Sequence, residues 1–176
     1  EENVTVAEIT PGESKAILVL ADGTNVNLDK TTDTARLAIG VAEIIRNEGK
    51  ITFMGDGEAG ELAYNTVIIP KGGEYHVVLS DKSEIWLNAD SELKFPVNLK
   101  GRERRVILSG EAYFKVAHDT ERPFVVETDL GNVRVYGTEF NVKRYMGEKE
   151  IKTTLVEGSV GFCKKDDKEN YIKIKP

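Results

Sequence analysis

The sequence is poor in the side chains that form metal sites and nucleophilic centres. It holds one cysteine, Cys163, and two histidines, His76 and His118, among 176 residues. A single cysteine excludes an intrachain disulfide, and its apolar neighbours predict a small buried side chain. Neither histidine has a metal-ligand spacing such as H-x-x-x-H, and no serine lies in a G-x-S-x-G motif. We therefore expect no catalytic, metal or cofactor site.

Long apolar runs and an excess of positive charge are also missing. No stretch approaches the ~18 apolar residues of a membrane-spanning helix, and no signal peptide is present. The chain starts at Glu1 without a methionine, so we interpret it as a piece of a longer protein. Asp and Glu outnumber Lys and Arg by 30 to 24, which gives a formal net charge of −6. An acidic chain repels phosphate backbones, so nucleic acid is not an expected partner.

What the sequence does hold is β-strand pattern throughout. Runs of β-branched and aromatic residues recur every ~8–12 residues between turn signals. Residues 26–28 and 133–135 alternate strictly between apolar and polar, as strands with one buried face do. The pattern predicts an all-β fold in which repeated short hairpins form a β-sandwich or a solenoid-like stack.

The segment 33–46 is ambiguous, because its composition also suits a helix. Ala35, Leu37, Ile39 and Val41 alternate at period two, which favours a strand, with a short helix near 33–40 as the alternative. Residues 41–46 and 50–54 are then predicted to form a hairpin across the three-residue loop 47–49.

An internal repeat supports the β prediction. Residues 11–30 align without gaps on residues 70–89, and a weaker echo relates 108–112 to 156–160. Each long unit is a strand, a tight turn containing aspartate, and a second strand. Repeated hairpins of this kind predict a rigid scaffold with exposed edges suited to partner binding.

Weak boundaries divide the chain into three predicted parts. The least regular stretch, 55–65, separates an N-terminal β unit at 1–60 from a main β domain at 61–164. Residues 165–176 are expected to start a further segment that the sequence does not complete, because a charged loop at 164–170 leads into one more alternating strand.

Two features are candidates for a partner interface. The only basic cluster, 100–105, is either a solvated hairpin tip or a contact for an acidic partner. Trp86 is predicted to face opposite to Ile85 and Leu87, and it is either covered by another unit or exposed as a binding anchor. The candidate interface residues are Arg102, Arg104, Arg105, Tyr75 and Trp86.

The segment 64–160 resembles the FecR family of anti-sigma regulators. Eight short stretches carry the resemblance in the order of the family: 64–67, 70–75, 79–88, 91–96, 108–116, 122–128, 135–142 and 155–160. Among them are Leu-Ser-Gly-Glu-Ala-Tyr-Phe at 108–114 and Tyr-Gly-Thr-Glu-Phe at 136–140. Two departures are Lys82-Ser83, where the family's turn usually has Gly-Thr, and Tyr136, where an aliphatic residue is usual.

The resemblance implies a non-catalytic relay without cofactors. Members of the family are single-pass inner-membrane proteins whose cytoplasmic segment binds an extracytoplasmic-function sigma factor. The periplasmic part, which this chain resembles, senses the signalling domain of a TonB-dependent outer-membrane receptor. The cytoplasmic segment is absent here, so this chain is not expected to bind the sigma factor itself.

Two other functions stay open beside the relay. A periplasmic carbohydrate-binding module would need exposed aromatic side chains on one face, for which Tyr75 and Trp86 are the candidates. A hydrolase would need a constellation of catalytic groups, and the sequence contains no recognisable one.

Overall fold

The structure is a computed structural model that describes residues 13–28, 35–39, 42–47, 49–54, 63–165 and 170–174. Every regular element in these ranges is a β-strand, which confirms the all-β prediction. Among the same residues, no helix is long and apolar enough to cross a membrane. The irregular stretch predicted at 55–65 lies mostly outside the described residues, as do 166–169 of the predicted charged loop.

The strands are numbered in chain order. The first nine are β1 (Glu13–Ser14), β2 (Ile17–Val19), β3 (Asn25–Asn27), β4 (Ala35–Ile39), β5 (Ala42–Asn47), β6 (Lys50–Met54), β7 (Tyr64–Ile69), β8 (Gly73–Val78) and β9 (Glu84–Leu87). The others are β10 (Ser91–Pro96), β11 (Arg104–Lys115), β12 (Phe124–Glu127), β13 (Gly131–Val135), β14 (Glu139–Arg144), β15 (Lys152–Glu157), β16 (Val160–Lys164) and β17 (Ile172–Ile174).

The strands form two sheets that are joined through β11. Sheet 1 has the order β3-β2-β7-β10-β11-β12-β13-β16-β17. Sheet 2 has the order β4-β5-β6-β8-β9-β11-β14-β15. Neighbours are antiparallel except for β6 with β8 and β11 with β12, and the short β1 adds a parallel contact to β8.

The core lies between the inner faces of the two sheets. Along β7, β8, β9, β10 and β11 the side chains alternate between buried and more exposed, as expected where one face is covered. Aromatic rings bridge the sheets: Phe53 lies 4.8 Å from Phe95, and Phe114 lies 6.2 Å from Phe124. The arrangement is a sandwich in which the chain passes repeatedly from one sheet to the other.

Strand β11 crosses between the sheets at Gly110. Residues before Gly110 pair with β10 and β12, and residues from Gly110 onward pair with β9 and β14. Gly110 has a φ of +108°, and a Cβ there would lie 2.6 Å from the Cα of Ser91. Only glycine fits such a position. A Ser-Gly pair is also a common turn signal, but here the glycine bends one continuous strand and makes no turn between two strands.

The described residues of the ambiguous segment, 35–39 and 42–46, lie in strands and not in a helix. Residues Ala35–Ile39 form β4 and pair with β5, and β5 pairs with β6 in the predicted hairpin. The loop is one residue shorter than predicted, because Asn47 pairs directly with Lys50 and leaves two residues between them.

The sheets continue across the boundary that the sequence predicts at residue 60. Strand β2 pairs with β7 in sheet 1, and β6 pairs with β8 in sheet 2. Leu18 and Ile51 from the N-terminal part are buried in the same core as Val67 and Val77. The boundary itself stays a prediction, but the two parts share their sheets and their core.

The repeated hairpins have the same turn geometry. In the first, Leu20 donates to the carbonyl of Thr24 and accepts from Gly23; in the second, Leu79 bonds Ser83 and Lys82 in the same way. Asp22 and Asp81 each accept a backbone N–H two residues on, at 2.9 and 3.0 Å. Gly23 has a φ of +85° and its counterpart Lys82 a φ of +69°, so the lysine occupies a left-handed position that favours glycine.

Replacing Lys82 by glycine is expected to stabilise the protein by up to about 1 kcal/mol. The left-handed conformation costs an L-residue about 1–2 kcal/mol, and the greater freedom of glycine in the unfolded chain offsets about half of that. Urea unfolding of Lys82→Gly measures the gain.

The reciprocal variant Gly23→Ala is the matched control. A Cβ at Gly23 meets nothing within 4 Å, so only the backbone conformation is tested. We expect a loss of about 1 kcal/mol or more. Equal unfolding midpoints for Lys82→Gly and the unchanged protein would contradict the assignment of strain to Lys82.

Candidate partner-binding surface

A row of aromatic side chains crosses the outer face of sheet 2. The strand register places His76 opposite Trp86, Trp86 opposite Tyr113, and Tyr113 opposite Asn141. The imidazole of His76 stacks on the indole of Trp86 with ring centroids 4.3 Å apart and an interplanar angle of 12°. The ring of Tyr113 lies 5.7 Å from that of Trp86 at 57°. We call His76, Trp86 and Tyr113 the aromatic row.

Trp86 faces outward, as its alternation predicted. Ile85 and Leu87 are buried in the core, whereas 38% of Trp86 is exposed. The sequence left open whether Trp86 is covered or exposed. In the structure its ring packs on its cross-strand neighbours and also keeps a solvent-facing surface.

Charged side chains hold the aromatic row in place. Glu84 lies 2.9 Å from Nε2 of His76, and the hydroxyl of Tyr113 donates to Glu139 at 3.0 Å. Burial lowers the pKa of His76, Lys50 lowers it further, and Glu84 opposes them. The direction of the shift keeps His76 neutral at pH 7, so it stacks on Trp86 without adding a positive charge.

A cleft of about 530 Å³ opens beside the aromatic row. Beside the aromatic row, its polar lining includes Ser14, Glu74, Asn88, Glu111 and Asn141, which come from distant parts of the sequence. Asn141 donates to Oε1 of Glu111 at 2.9 Å, which fixes that carboxylate. Clefts of this volume are typical of sites that bind a small ligand or a protruding side chain.

The basic cluster at 100–105 is not a continuous charged surface. Arg104 is only 1% exposed. Its Nη1 donates to Asp81 at 2.9 Å and to the carbonyl of Ala117 at 2.8 Å, and its Nε donates to the carbonyl of Arg122 at 3.0 Å. Its side chain therefore ties the β8–β9 turn to the loop between β11 and β12 and is not available to a partner.

The other predicted interface residues differ in their exposure to solvent. Arg105 is half-buried and paired with Glu103 at 2.7 Å and Glu127 at 2.8 Å, so its charge is balanced. Tyr75 is buried, and burial raises the pKa of its hydroxyl. Arg102 is exposed. Of the five candidates, Trp86 and Arg102 are exposed, Arg105 is half-buried, and Tyr75 and Arg104 are buried.

Comparison with known proteins identifies the family of the chain. The sequence profile described as FecR protein matches residues 65–161, more than half of the chain. The chain belongs to the FecR family. The match lies within the predicted main domain at 61–164, and it covers β7 to β15 and the start of β16, which include the aromatic row.

Two crystal structures are similar to this FecR-family chain. Each is described as a "putative anti-sigma factor" from Parabacteroides distasonis ATCC 8503. The structure at 2.50 Å resolution is 28% identical, with a TM-score of 0.60 over 64% of this chain and 52% of that one. The structure at 1.65 Å is 29% identical, with a TM-score of 0.59 over 63% and 51%. The chain thus spans about half the length of these structures, and no curated protein matches it.

No metal centre is found in the described part of this FecR domain. No group of three or more His, Cys, Asp or Glu side chains there is arranged to hold a metal ion. Cys163 is buried, as predicted, and accepts a contact from the amide of Asn132 at 3.6 Å. Burial, together with the thiol of Cys163, raises the pKa of Tyr171 to about 12, so the Tyr171 hydroxyl is neutral at pH 7.

The polar lining of the cleft has no distinctive pattern in the sequence. Glu74, Glu111 and Asn141 looked like ordinary outward positions of three different strands. Period-two alternation places Glu74 and Glu111 on the same outward face as His76 and Tyr113, and strand pairing places Asn141 opposite Tyr113. The alternation could identify the lining only once the pairing of the strands is known.

Replacing Arg104 by methionine is expected to destabilise the protein by about 3–5 kcal/mol, since the carboxylate of Asp81 would stay buried without its cation. Chemical denaturation measures the loss. Arg102→Met is the matched control from the same cluster, and we expect it to change stability by less than about 0.5 kcal/mol.

The double variant Asp81→Asn/Arg104→Met separates the ion pair from general packing. Its loss should be smaller than the sum of the two single losses, because the second change removes the partner that the first left unpaired. Equal effects of Arg104→Met and Arg102→Met would contradict the buried role of Arg104.

Protonation of His76 is expected to destabilise the fold as the pH falls. Its folded-state pKa lies below the ordinary value of 6.5, so its contribution is fully present above pH 6.5 and is lost as the pH falls through the folded pKa. Denaturation at a series of pH values, compared with His76→Gln, isolates the contribution. The two curves should diverge below pH 6.5, and parallel curves would show that the pKa of His76 is not lowered.

Proposed function

We propose that this FecR domain is the periplasmic sensor part of an anti-sigma regulator. In this role it relays a signal from the signalling domain of a TonB-dependent outer-membrane receptor to an extracytoplasmic-function sigma factor. The observation that carries the proposal is the family match over residues 65–161, which is supported by the likeness to two structures described as anti-sigma factors.

The surface chemistry suits a binding role better than a catalytic one. On the outer face of sheet 2, the carboxylates of Glu84 and Glu139 are engaged by His76, Tyr113 and Lys115. Groups fixed in this way shape a surface but are not poised to transfer protons. The exposed part of Trp86 then provides the kind of aromatic anchor that concentrates binding energy at protein interfaces.

The relay assigns separate tasks to separate parts of the longer protein. In this proposal a cytoplasmic segment outside the present chain binds the sigma factor, and a single membrane-spanning segment joins it to the sensor. The present chain contributes the rigid sandwich and its outer faces, and it needs neither a cofactor nor a nucleic acid.

The carbohydrate-binding alternative has weaker support. Of its two aromatic candidates, Tyr75 is buried, and one face of Trp86 is stacked on His76. A sugar ring packs on an open aromatic face, and the described residues of this surface offer no flat row of such faces.

Calorimetry between this chain and the signalling domain of the TonB-dependent receptor encoded beside it tests the proposal. We expect saturable binding in the micromolar range or tighter, and no binding to the signalling domain of an unrelated receptor. The same titration with a longer protein that continues beyond residue 176 covers a contact supplied by later residues. Absence of binding in both titrations would overturn the relay.

A further inference from the structure

The cleft beside the aromatic row is negatively charged. Glu74 and Glu111 line it, and no lysine or arginine is among the described residues of its lining. Glu74 is exposed and makes no ion pair within the described part of the chain. Lys143 lies 3.9 Å from Glu111 and balances that charge only in part. The cleft therefore attracts positive charge.

Lysines on the same face are directed to other carboxylates. Lys115 pairs with Glu139 at 2.9 Å, and Lys50 lies 3.9 Å from Glu84. These contacts lie along the strands on the side of the aromatic row away from Glu74 and Glu111. The lysines thus leave the charge of the cleft largely uncompensated, and the neutral state of His76 adds no positive charge to its wall.

The exposed part of Trp86 selects the shape of the ligand. His76 covers one face of the indole and Tyr113 packs beside it, so the solvent-facing surface suits an alkyl stem better than a flat ring. Lysine and arginine combine such a stem with a charged end, and they commonly lay the stem on apolar surface while the charge reaches a polar partner. A neutral sugar could donate hydroxyl hydrogen bonds to Glu74, but it would form no ion pair there and could not lay its ring flat on the narrow apolar surface.

We propose that this cleft receives a lysine or arginine side chain from an extended segment of a partner protein, with the stem on Trp86 and the charged end against Glu74 or Glu111. The inference deepens the proposed function by giving the contact surface and the charge of the partner, and it rests on that function for the partner being a protein. The basic cluster suggested an acidic partner, whereas the cleft requires a basic one. Arg104 and Arg105 of that cluster are neutralised within the fold.

The net charge of −6 also favours a positively charged partner. A field of one sign speeds the encounter with an oppositely charged molecule and slows it with a like-charged one. A basic segment would thus be steered toward the surface before it reaches the cleft.

Trp86 provides the assay, because it is the only tryptophan of the chain. The whole chain is titrated with acetyl-Gly-Arg-Gly-amide, and the fluorescence and the indole N–H resonance of Trp86 are recorded. We expect a saturable change with a Kd of roughly 1–10 mM, in the range of a single side-chain contact. Binding should weaken as salt is added.

Matched peptides test the charge. Acetyl-Gly-Gln-Gly-amide and acetyl-Gly-Glu-Gly-amide should leave the Trp86 signals unchanged, and so should the neutral disaccharide maltose. Salt-independent binding of maltose would show that the cleft takes a saccharide and not a basic side chain. Preferential binding of the glutamate peptide would show that the cleft takes a negatively charged ligand. Either result, or no response to the arginine peptide by either signal, would overturn the proposal.

Variants locate the site. Glu74→Gln should weaken binding of the arginine peptide by about five-fold, the value of one solvent-exposed charge pair. Glu92→Gln, which removes an exposed carboxylate from β10 in sheet 1, should leave it unchanged. Glu74→Lys should abolish binding of the arginine peptide and permit binding of the glutamate peptide, an exchange that loss of folding cannot produce.

The receptor titration separates the two proposals. If the signalling domain binds equally well to the unchanged chain and to Glu74→Lys, and the peptides do not bind, the relay stands and the cleft is not its contact. If the arginine peptide binds as expected but the signalling domain does not, the cleft stands and the relay fails.

Discussion

The two sheets of this FecR domain depend on one strand that belongs to both. Strand β11 is twelve residues long, and each half is hydrogen-bonded on both sides within a different sheet. The bend that permits this lies at Gly110, where a side chain would collide with Ser91. Since Glu111 and Tyr113 follow the bend directly, the position of the candidate cleft is set by the same crossing that holds the sandwich together.

A second constraint fixes the beginning of β11. Arg104 reaches Asp81 in the turn between β8 and β9, and Ser83 of that turn bonds both Asp81 and the backbone of Ala117 beyond the end of β11. Both ends of the strand are therefore tied to the hairpin that carries His76 and Trp86. A buried ion pair is costly unless its hydrogen bonds are satisfied, and here the surrounding carbonyls and the hydroxyl satisfy most of them.

The sequence predicted what depends on local pattern and missed what depends on pairing. Period-two alternation was sufficient for the strands and for the outward direction of Trp86, and the repeat identified two hairpins with equivalent turns. The burial of Arg104 was not predictable in this way, because its partner Asp81 is 23 residues away and its neighbours Arg102 and Arg105 suggest an exposed patch. The cleft also depends on strand pairing, because Glu74 on β8 and Glu111 on β11 are brought together only by β9, which lies between these strands.

The sign of the charge in the cleft bears on how the proposed sensor discriminates between partners. A single charge and one apolar stem supply little affinity, so the contact alone does not hold a partner tightly. It acts more strongly against wrong partners, because a carboxylate placed beside Glu74 and Glu111 is repelled and loses hydration without compensation. A rigid acidic cleft thus contributes specificity, while affinity has to come from the wider surface around it.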